Sequence, residues 1–279
     1  MSLRAIGIFD SGVGGLTVLK AIRQELPLES LVYLGDTARV PYGTKSPPTV
    51  ERYALQAAAF LLAQQVKMVV VACNTASSVA LPALQRALPV PVVGVIEPGA
   101  AGAVETSRSG RIGVIGTEAT IASAAYPQAI RALRQDAEVY SAACPLFVPL
   151  AEEGWAEHAV ARLTAQEYLA PLLQQRVDTL VLGCTHYPLL RRTLEAILPP
   201  EVRLVDSARQ TALQVRRLLG PQTLAQRGDG SCRFFVTDEP ARFVRVGGAF
   251  LGEALTEVQR VELQCALDGS GAVLAQVAP

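Results

Sequence analysis

The sequence predicts an α/β protein made of two similar units, each built on a largely parallel sheet. Short apolar runs alternate with helix-like stretches of ten or more residues, which is the pattern of βαβ units. The runs are apolar throughout, as expected of strands that helices cover on both faces. Two runs end in similar stretches, VVVACNTASS around Cys73 and LVLGCTHYPL around Cys184, and this similarity favours two units over one continuous sheet.

The first series of elements begins at the N-terminus. AIGIFD predicts a strand that ends at SGVGG, and an amphipathic helix is expected from Leu16 to Leu26. LVYLGD is the second strand, and the loop TARVPYGTKSPP leads from it to a long helix over Thr49 to Gln65. KMVVVAC and PVVGVIE are the third and fourth strands.

A second series begins after the fourth strand. RIGVIGT, AEVYSAA, VDTLVLGC and VRLVD predict four more strands. The segment after Ser207, with a strand at CRFFVTD and a helix at AFLGEALTEVQ, is expected to return and complete the first unit. We therefore expect a first domain of residues 1–95 plus 207–265, a second domain of residues 96–206, and a loose tail over 266–279.

Composition argues against several classes of function. The 279 residues carry a formal net charge of zero without runs of like charge, which disfavours a nucleic-acid partner. No apolar stretch approaches the roughly 18 residues of a membrane span, and the N-terminus does not resemble a signal peptide. Five cysteines without close pairing fit a reduced, cytoplasmic protein. We expect three of them, Cys144, Cys232 and Cys265, to be buried structural thiols.

Polar and reactive residues follow directly after the apolar runs. In parallel α/β folds, ligands bind beyond the carboxyl ends of the strands. We therefore expect these residues to lie at one edge of the sheets, around a common site. They are Asp10, Ser11, Asp36, Cys73, Thr117 and Cys184.

The glycine-rich turn DSGVGG has two interpretations. Gly12 and Gly14 match the first two glycines of a dinucleotide-binding fingerprint, and Asp36 stands at about the interval of its ribose-binding acid. Thr17 replaces the third glycine, however, and Asp10 would repel a pyrophosphate. The alternative is a tight strand–helix turn without a ligand, for which glycine is the usual residue.

The two strand-end cysteines carry the most specific chemistry. Each is expected to stand before a helix, whose N-terminal N–H groups and dipole favour a thiolate. A disulfide is disfavoured in a cytoplasmic protein, a metal site would need further ligands at close spacing, and one nucleophilic thiol would leave Cys73 without a role. Two thiols on opposite sides of a small substrate explain both, because one can remove a proton while the other delivers one to the opposite face. Such a reaction is a racemisation or an epimerisation.

The residues around the cysteines fit a carboxylate substrate. An acid can be bound without Arg or Lys, by backbone N–H groups and by the hydroxyl and amide groups of Ser11, Asn74, Thr75 and Thr185. These motifs contain no Lys that could form a Schiff base with pyridoxal phosphate, so no cofactor is expected.

We expect His186 to orient or protonate a thiol and His158 to lie on the surface of an amphipathic helix.

These motifs resemble those of the glutamate racemases, in the cofactor-independent aspartate/glutamate racemase superfamily. The matching stretches are IGIFDSGVGGLTVL, YLGDTARVPYG, VVACNTASS, GVIGTEATIAS, PLFVPLAEEG, LVLGCTHYPLL, LVDSA and, more weakly, AFLG. The resemblance implies two pseudo-symmetric α/β domains that face each other across the active site. It implies interconversion of L- and D-glutamate without a cofactor or a metal, a supply of D-glutamate for peptidoglycan, and relatives that form dimers. Neither a nucleic acid nor a membrane is expected as a partner.

The resemblance also implies roles for the matched positions. Cys184 would act on the L enantiomer and Cys73 on the D enantiomer, and Asp10 and His186 would assist the thiols on either side. The residues expected to bind the amino acid are Ser11, Tyr42, Gly43, Asn74, Thr75, Thr117, Thr120 and Thr185. Further acids of the family are matched by Asp36 and Glu152.

Three other functions stay open on the residues alone. They are an aspartate racemase, a non-catalytic ligand-binding module of the same fold, and a dinucleotide-dependent enzyme. The resemblance favours glutamate over aspartate partly through His186, because aspartate-racemase relatives often carry Glu at that position.

Overall fold

The computed structural model describes residues 4–225 and 228–263. Cys265 and the predicted tail over 266–279 lie outside the described residues. No helix in the described part of the chain is long and apolar enough to cross a membrane.

The described residues form ten strands and eleven α-helices. The strands are β1 Ile6–Asp10, β2 Leu31–Gly35, β3 Met68–Val71, β4 Val92–Gly94, β5 Arg111–Gly116, β6 Glu138–Ala143, β7 Thr179–Gly183, β8 Arg203–Asp206, β9 Cys232–Val236 and β10 Val258–Arg260. The helices are α1 Leu16–Glu25, α2 Pro47–Ala63, α3 Asn74–Ala87, α4 Ile96–Thr106, α5 Glu118–Ala122, α6 Ala125–Leu133, α7 Phe147–Glu152, α8 Ala159–Gln174, α9 Arg191–Ile197, α10 Ser207–Thr223 (interrupted at Gly220) and α11 Pro240–Leu251. Short 3₁₀ turns cover Thr37–Arg39, Tyr42–Thr44 and Tyr187–Leu190.

The strands form two separate parallel sheets. The first has six strands in the order β10-β9-β2-β1-β3-β4, and the second has four in the order β6-β5-β7-β8. Every strand pair in both sheets is parallel. Strands β1, β2, β3 and β7 are buried along their whole length, as their uniformly apolar runs predicted. The predicted α/β class with two parallel sheets is confirmed, and the domain boundaries stay a prediction.

Three local expectations are wrong. The run PVVGVIE is a strand only to Gly94, and α4 begins at Ile96. The helix expected over AFLGEALTEVQ ends at Leu251, because Gly252 takes a left-handed conformation (φ 84°) that ends a helix, and part of the remainder forms β10. His158 is exposed, as predicted, but it does not lie inside the helix: its ring accepts a hydrogen bond from the backbone N–H of Val160 and caps α8.

One apolar core runs through both units. Ile8 of β1 and Leu19 of α1 belong to the same buried cluster as Leu182 of β7 and Tyr187. Helix α10 extends this contact by packing against α1 and α4. Because separating the units would expose this continuous apolar surface to water, its burial holds the two sheets together.

The two structural cysteines that the structure describes differ in burial. Cys144 is fully buried in the shared core, as expected, and burial raises the pKa of its thiol to about 12. Cys232 is only half-buried at the start of β9, so the expectation of a fully buried thiol is wrong there.

A buried ion pair fixes the end of the first sheet that lies away from the strand-end cysteines. Nζ of Lys67 lies 2.7 Å from Oε2 of Glu29, and the two side chains are only 7% and 3% exposed. The same Nζ donates to the carbonyl oxygen of Thr223, and the N–H of Ala225 donates to Glu29. The pair thus ties the end of α10 to the amino ends of β2 and β3.

Replacing Lys67 with Met should lower the free energy of unfolding by about 3 kcal/mol, because the change leaves the carboxylate of Glu29 buried without its cation. Urea denaturation of both proteins measures the difference. Lys45→Met is the control, since Lys45 makes no ion pair among the described residues and should change stability by less than about 0.5 kcal/mol. Equal losses in the two variants would contradict the expectation.

Candidate active site

A cavity of about 190 Å³ lies between the two units, at the carboxyl ends of their strands. Its volume suits a small molecule and is below the roughly 300 Å³ at which drug-sized pockets begin. The residues predicted from sequence that line it are Ser11, Tyr42, Gly43, Cys73, Asn74, Thr75, Thr117, Cys184, Thr185 and His186. The lining residues not predicted are Pro41, Thr44, Glu118, Pro145, Val148 and Pro149.

Cys73 stands at the N-terminus of α3, as predicted. Its sulfur accepts a hydrogen bond from the N–H of Ala76 at 3.5 Å, and its thiol donates to Oγ of Ser11 at 3.7 Å. Burial and the negative charge of Asp10 nevertheless raise the pKa of Cys73 to about 12. The N–H of Ala76 at the helix N-terminus lowers the pKa of Cys73, as expected, but desolvation outweighs this effect.

Asp10 lies next to the cavity and not in its wall. The side chain is wholly buried, and its Oδ2 accepts a hydrogen bond from the N–H of Gly12 at 2.9 Å. Its Oδ1 has no hydrogen-bond partner among the described residues. Burial raises the pKa of the carboxyl above its usual value.

Cys184 follows β7 and lies at a different kind of strand end. A 3₁₀ turn of four residues, Tyr187–Leu190, follows it, so the expected α-helix N-terminus is absent at this cysteine. Its sulfur instead lies within hydrogen-bonding distance of a ring nitrogen, Nδ1 of His186, at 3.8 Å.

His186 is held between the second thiol and a carboxylate. Its Nε2 lies 3.0 Å from Oε1 of Glu152, and the other oxygen of Glu152 pairs with Arg242 at 2.9 Å. Burial lowers the pKa of the imidazole, but hydrogen bonds with Cys184 and Glu152 outweigh it and raise the pKa to about 10. Burial raises the pKa of Glu152, but its contacts with His186 and Arg242 lower that pKa by more. The net pKa of Glu152 therefore lies below its usual value. The pair is therefore an imidazolium and a carboxylate at neutral pH.

The glycine-rich turn packs against the second unit. A Cβ atom on Gly14 would lie 2.2 Å from Oγ1 of Thr185 and 2.5 Å from Nδ1 of His186. Oγ1 of Thr17 also donates to the carbonyl oxygen of Thr185. The absent side chain of Gly14 thus lets the segment after Cys184 approach, and the space where a fingerprint would hold a pyrophosphate is filled by protein.

Asp36 does not lie in the cavity either. The buried carboxylate accepts hydrogen bonds from the hydroxyls of Tyr42 and Thr237 and pairs with Nε of Arg39 at 2.7 Å. With these partners it cannot serve as a ribose-binding acid. It holds Tyr42 in the cavity wall, and the next residue, Gly43, lies close to Thr117 of the second unit.

A cluster of three threonine hydroxyls crosses between the units. Oγ1 of Thr75 lies 2.9 Å from that of Thr117 and 3.3 Å from that of Thr120, and the latter two are 3.0 Å apart. Thr120 is buried behind the cavity wall and completes the cluster. Since each hydroxyl can rotate, the cluster can turn its donors to a bound anion.

Asn74 presents an unpaired donor. Its Oδ1 accepts a hydrogen bond of 2.7 Å from the hydroxyl of Tyr126 in the second unit. Its Nδ2 is buried with no partner among the described residues, although the side chain lines the cavity. A buried donor without a partner is costly, so this amide is suited to a ligand oxygen.

Sequence reasoning missed Tyr126 and Arg242. Neither stands near a cysteine or at a strand end, and only the fold brings them to the residues that do. Pro145, Val148 and Pro149 lie inside the matched stretch PLFVPLAEEG, which was the available signal for this apolar wall. Among the described residues, no group of three His, Cys, Asp or Glu side chains is arranged to hold a metal ion.

Residues 14–215 match the family described as Asp/Glu/Hydantoin racemase. The chain is 58% identical over 266 residues to a glutamate racemase of Geobacter metallireducens, covering 95% of this chain and 98% of the relative. It is also similar to the crystal structure of a glutamate racemase isoform from Bacillus anthracis, with a TM-score of 0.89, 39% identity, and coverage of 93% and 98%. A glutamate racemase from Francisella tularensis, solved in complex with D-glutamate, has a TM-score of 0.88, 40% identity, and coverage of 94% and 99%.

Gly14→Ala should lower kcat/KM for the reaction of this cavity by at least about 100-fold, because the new methyl group displaces Thr185 and His186 from the first unit. Steady-state kinetics measure the loss, and circular dichroism checks that the fold persists. Gly248→Ala is the matched control: its Cβ would meet only a carbonyl oxygen at 3.4 Å, an ordinary contact. Wild-type kinetics for Gly14→Ala would refute the close contact.

His186 should keep its proton at neutral pH and lose it only as the pH nears about 10. Because its pKa in the folded protein exceeds the ordinary 6.5, the bound proton stabilises the fold fully below about pH 6.5, and this stabilisation is lost as the pH rises through about 10. NMR titration is direct, since the chain has only two histidines and a His158→Gln variant assigns the signals. A neutral His186 ring at pH 7 would show that the hydrogen bonds do not overcome burial.

Proposed function

The chain belongs to the Asp/Glu/hydantoin racemase family and is an amino-acid racemase, and on that basis we propose that it interconverts L-glutamate and D-glutamate by a two-thiol acid/base mechanism that needs no cofactor. The observation that carries the mechanism is the placement of Cys73 and Cys184. They follow strands of different sheets and line one cavity of amino-acid size. A reaction that must reach both faces of one carbon needs this duplication.

The substrate is bound by hydrogen-bond donors in place of basic side chains. The lining residues that the structure describes include no Lys or Arg, so the carboxylates meet Nδ2 of Asn74, the hydroxyls of Thr75, Thr117 and Thr185, and adjacent backbone N–H groups. Fixed donors in a site that excludes water stabilise developing negative charge more strongly than water does. This matters because the α-proton is far less acidic than a thiol with its ordinary pKa of about 8.5.

The proton transfer runs from one face of Cα to the other. For L-glutamate, the thiolate of Cys184 takes the α-proton, and the electron pair of the broken C–H bond stays on Cα. The thiol of Cys73 then gives its proton to the opposite face, which forms D-glutamate and leaves a thiolate on Cys73. The reverse reaction exchanges the two roles.

The two thiols have different neighbours. The raised pKa keeps Cys73 as a thiol at neutral pH, ready to deliver a proton. The sulfur of Cys184 lies 3.8 Å from Nδ1 of His186, which can orient this thiol towards the cavity.

Glutamate is the proposed substrate because relatives with 58% and 40% identity over nearly the whole chain are glutamate racemases, one of them solved with D-glutamate. The proposal extends to a supply of D-glutamate for peptidoglycan and to a reducing cytoplasm, where both thiols stay free. A homodimer also stays a prediction, which light scattering tests.

The test is exchange of the α-proton in heavy water. Protein freed of metals and of pyridoxal phosphate should incorporate deuterium into D- and L-glutamate and invert both. Cys73→Ala and Cys184→Ala should each lower the rate of inversion by at least about 1,000-fold, because each removes the acid or base for one face. Cys232→Ala, at the opposite end of β9, should retain full activity.

The outcomes separate the alternatives. Exchange with aspartate and not glutamate would identify an aspartate racemase. Saturable glutamate binding without exchange would indicate a non-catalytic module. Full inversion by either single cysteine variant would rule out the two-thiol mechanism.

A further inference from the structure

Arg242 lies outside every motif of the sequence, yet it pairs with Glu152, which contacts His186 beside Cys184. We propose that Arg242 is a positioning residue: by holding Glu152 in place, it keeps His186 turned towards the sulfur of the second cysteine. The consequence for catalysis rests on the proposed function, whereas the positioning itself is a property of the substrate-free protein.

Four side chains form one line of contacts from the surface to the cavity. Nη2 of Arg242 lies 2.9 Å from Oε2 of Glu152. The other oxygen, Oε1, lies 3.0 Å from Nε2 of His186. Nδ1 of His186 then lies 3.8 Å from Sγ of Cys184. Each oxygen of the carboxylate has one partner, so loss of either contact releases one side of it.

Helix α11 supports the imidazole in two ways. Arg242 in its first turn secures the carboxylate, and the ring of Phe250 near its end packs edge-on against His186, with ring centroids 5.1 Å apart. This helix accompanies the first sheet, whereas Glu152 and Cys184 follow strands of the second sheet. The alignment of the second thiol therefore depends on contact between the units.

The first thiol has no such dependence. The hydroxyl of Ser11 and the N–H of Ala76, which contact the sulfur of Cys73, both come from its own unit. Removal of Arg242 should therefore affect one cysteine and spare the other.

The physical effect follows from the groups that face His186. The titratable groups among them are Cys184, Glu152 and Asp10. Glu152 is 22% exposed, so without its arginine the carboxylate can rotate towards water. The buried imidazole then loses its fixed acceptor, and burial favours its neutral form. A ring that has turned away or lost its proton no longer presents a charged donor 3.8 Å from the sulfur of Cys184, and a thiol without such a neighbour is less reactive.

Alkylation by iodoacetamide measures this effect without turnover. Substrate-free, full-length wild type and Arg242→Gln are labelled over a range of pH, and the peptides of Cys73 and Cys184 are quantified separately by mass spectrometry. Near neutral pH, Arg242→Gln should label Cys184 about fivefold more slowly, the upper range for a partly exposed ion pair. The labelling rate of Cys73 should change less than about twofold, since the groups that contact its sulfur come from its own unit.

Matched variants separate positioning from general damage. Arg245→Gln removes an exposed charge from the same helix that has no ion pair among the described residues, and it should label like wild type. Arg242→Lys should restore most of the rate. Glu152→Gln should slow the labelling of Cys184 at least as much as Arg242→Gln, and the double variant should be no slower than Glu152→Gln alone.

Wild-type labelling of Cys184 in Arg242→Gln would overturn the proposal, and so would additive effects of the two single changes. If Arg242→Gln does not fold, Arg242→Lys and Glu152→Gln decide the question by the same comparison. Labelling needs no substrate, so a protein without racemase activity would refute the proposed function and leave this test intact. In an active enzyme, Arg242→Gln must lower kcat/KM for L-glutamate and for D-glutamate by the same factor, because the two enantiomers have equal free energies in solution.

Discussion

The contact between Gly14 and the segment Thr185–His186 determines how the two halves of the site meet. A single methyl group at this glycine would overlap both residues, so the loop after β1 can touch the second unit only without a side chain. The cavity of about 190 Å³, with Cys73 on one side and Cys184 on the other, is the space left beside this contact. Proton transfer to and from one carbon tolerates little displacement, so the rest of the site depends on the closeness of the units.

Each half of the site stands on a parallel sheet, but the two halves differ in charge. Burial and Asp10 keep the thiol of Cys73 protonated, whereas His186 and Glu152 place a buried ion pair next to Cys184. The two cysteines that line the cavity therefore have different electrostatic surroundings.

Polar contacts between the units complete the binding surface. The hydroxyl cluster of Thr75, Thr117 and Thr120 and the bond from Tyr126 to Asn74 each join residues of different units. Because these groups are buried, leaving one of them without a hydrogen-bond partner costs free energy. The same contacts that hold the units together therefore also orient the donors. Neither unit alone contains a complete site for an amino acid.

The sequence by itself determined the α/β class, the ends of most strands and the two cysteines, because strand periodicity and the residues that end a strand are local properties of the chain. It placed Cys73 at a helix N-terminus correctly and Cys184 wrongly. Only the tertiary structure decided which side chains surround each thiol. Arg242 is 90 residues from Glu152 and Tyr126 is 52 residues from Asn74 in the chain. Contacts at such distances, and the burial that shifts a pKa, arise from packing and leave no local pattern in the sequence.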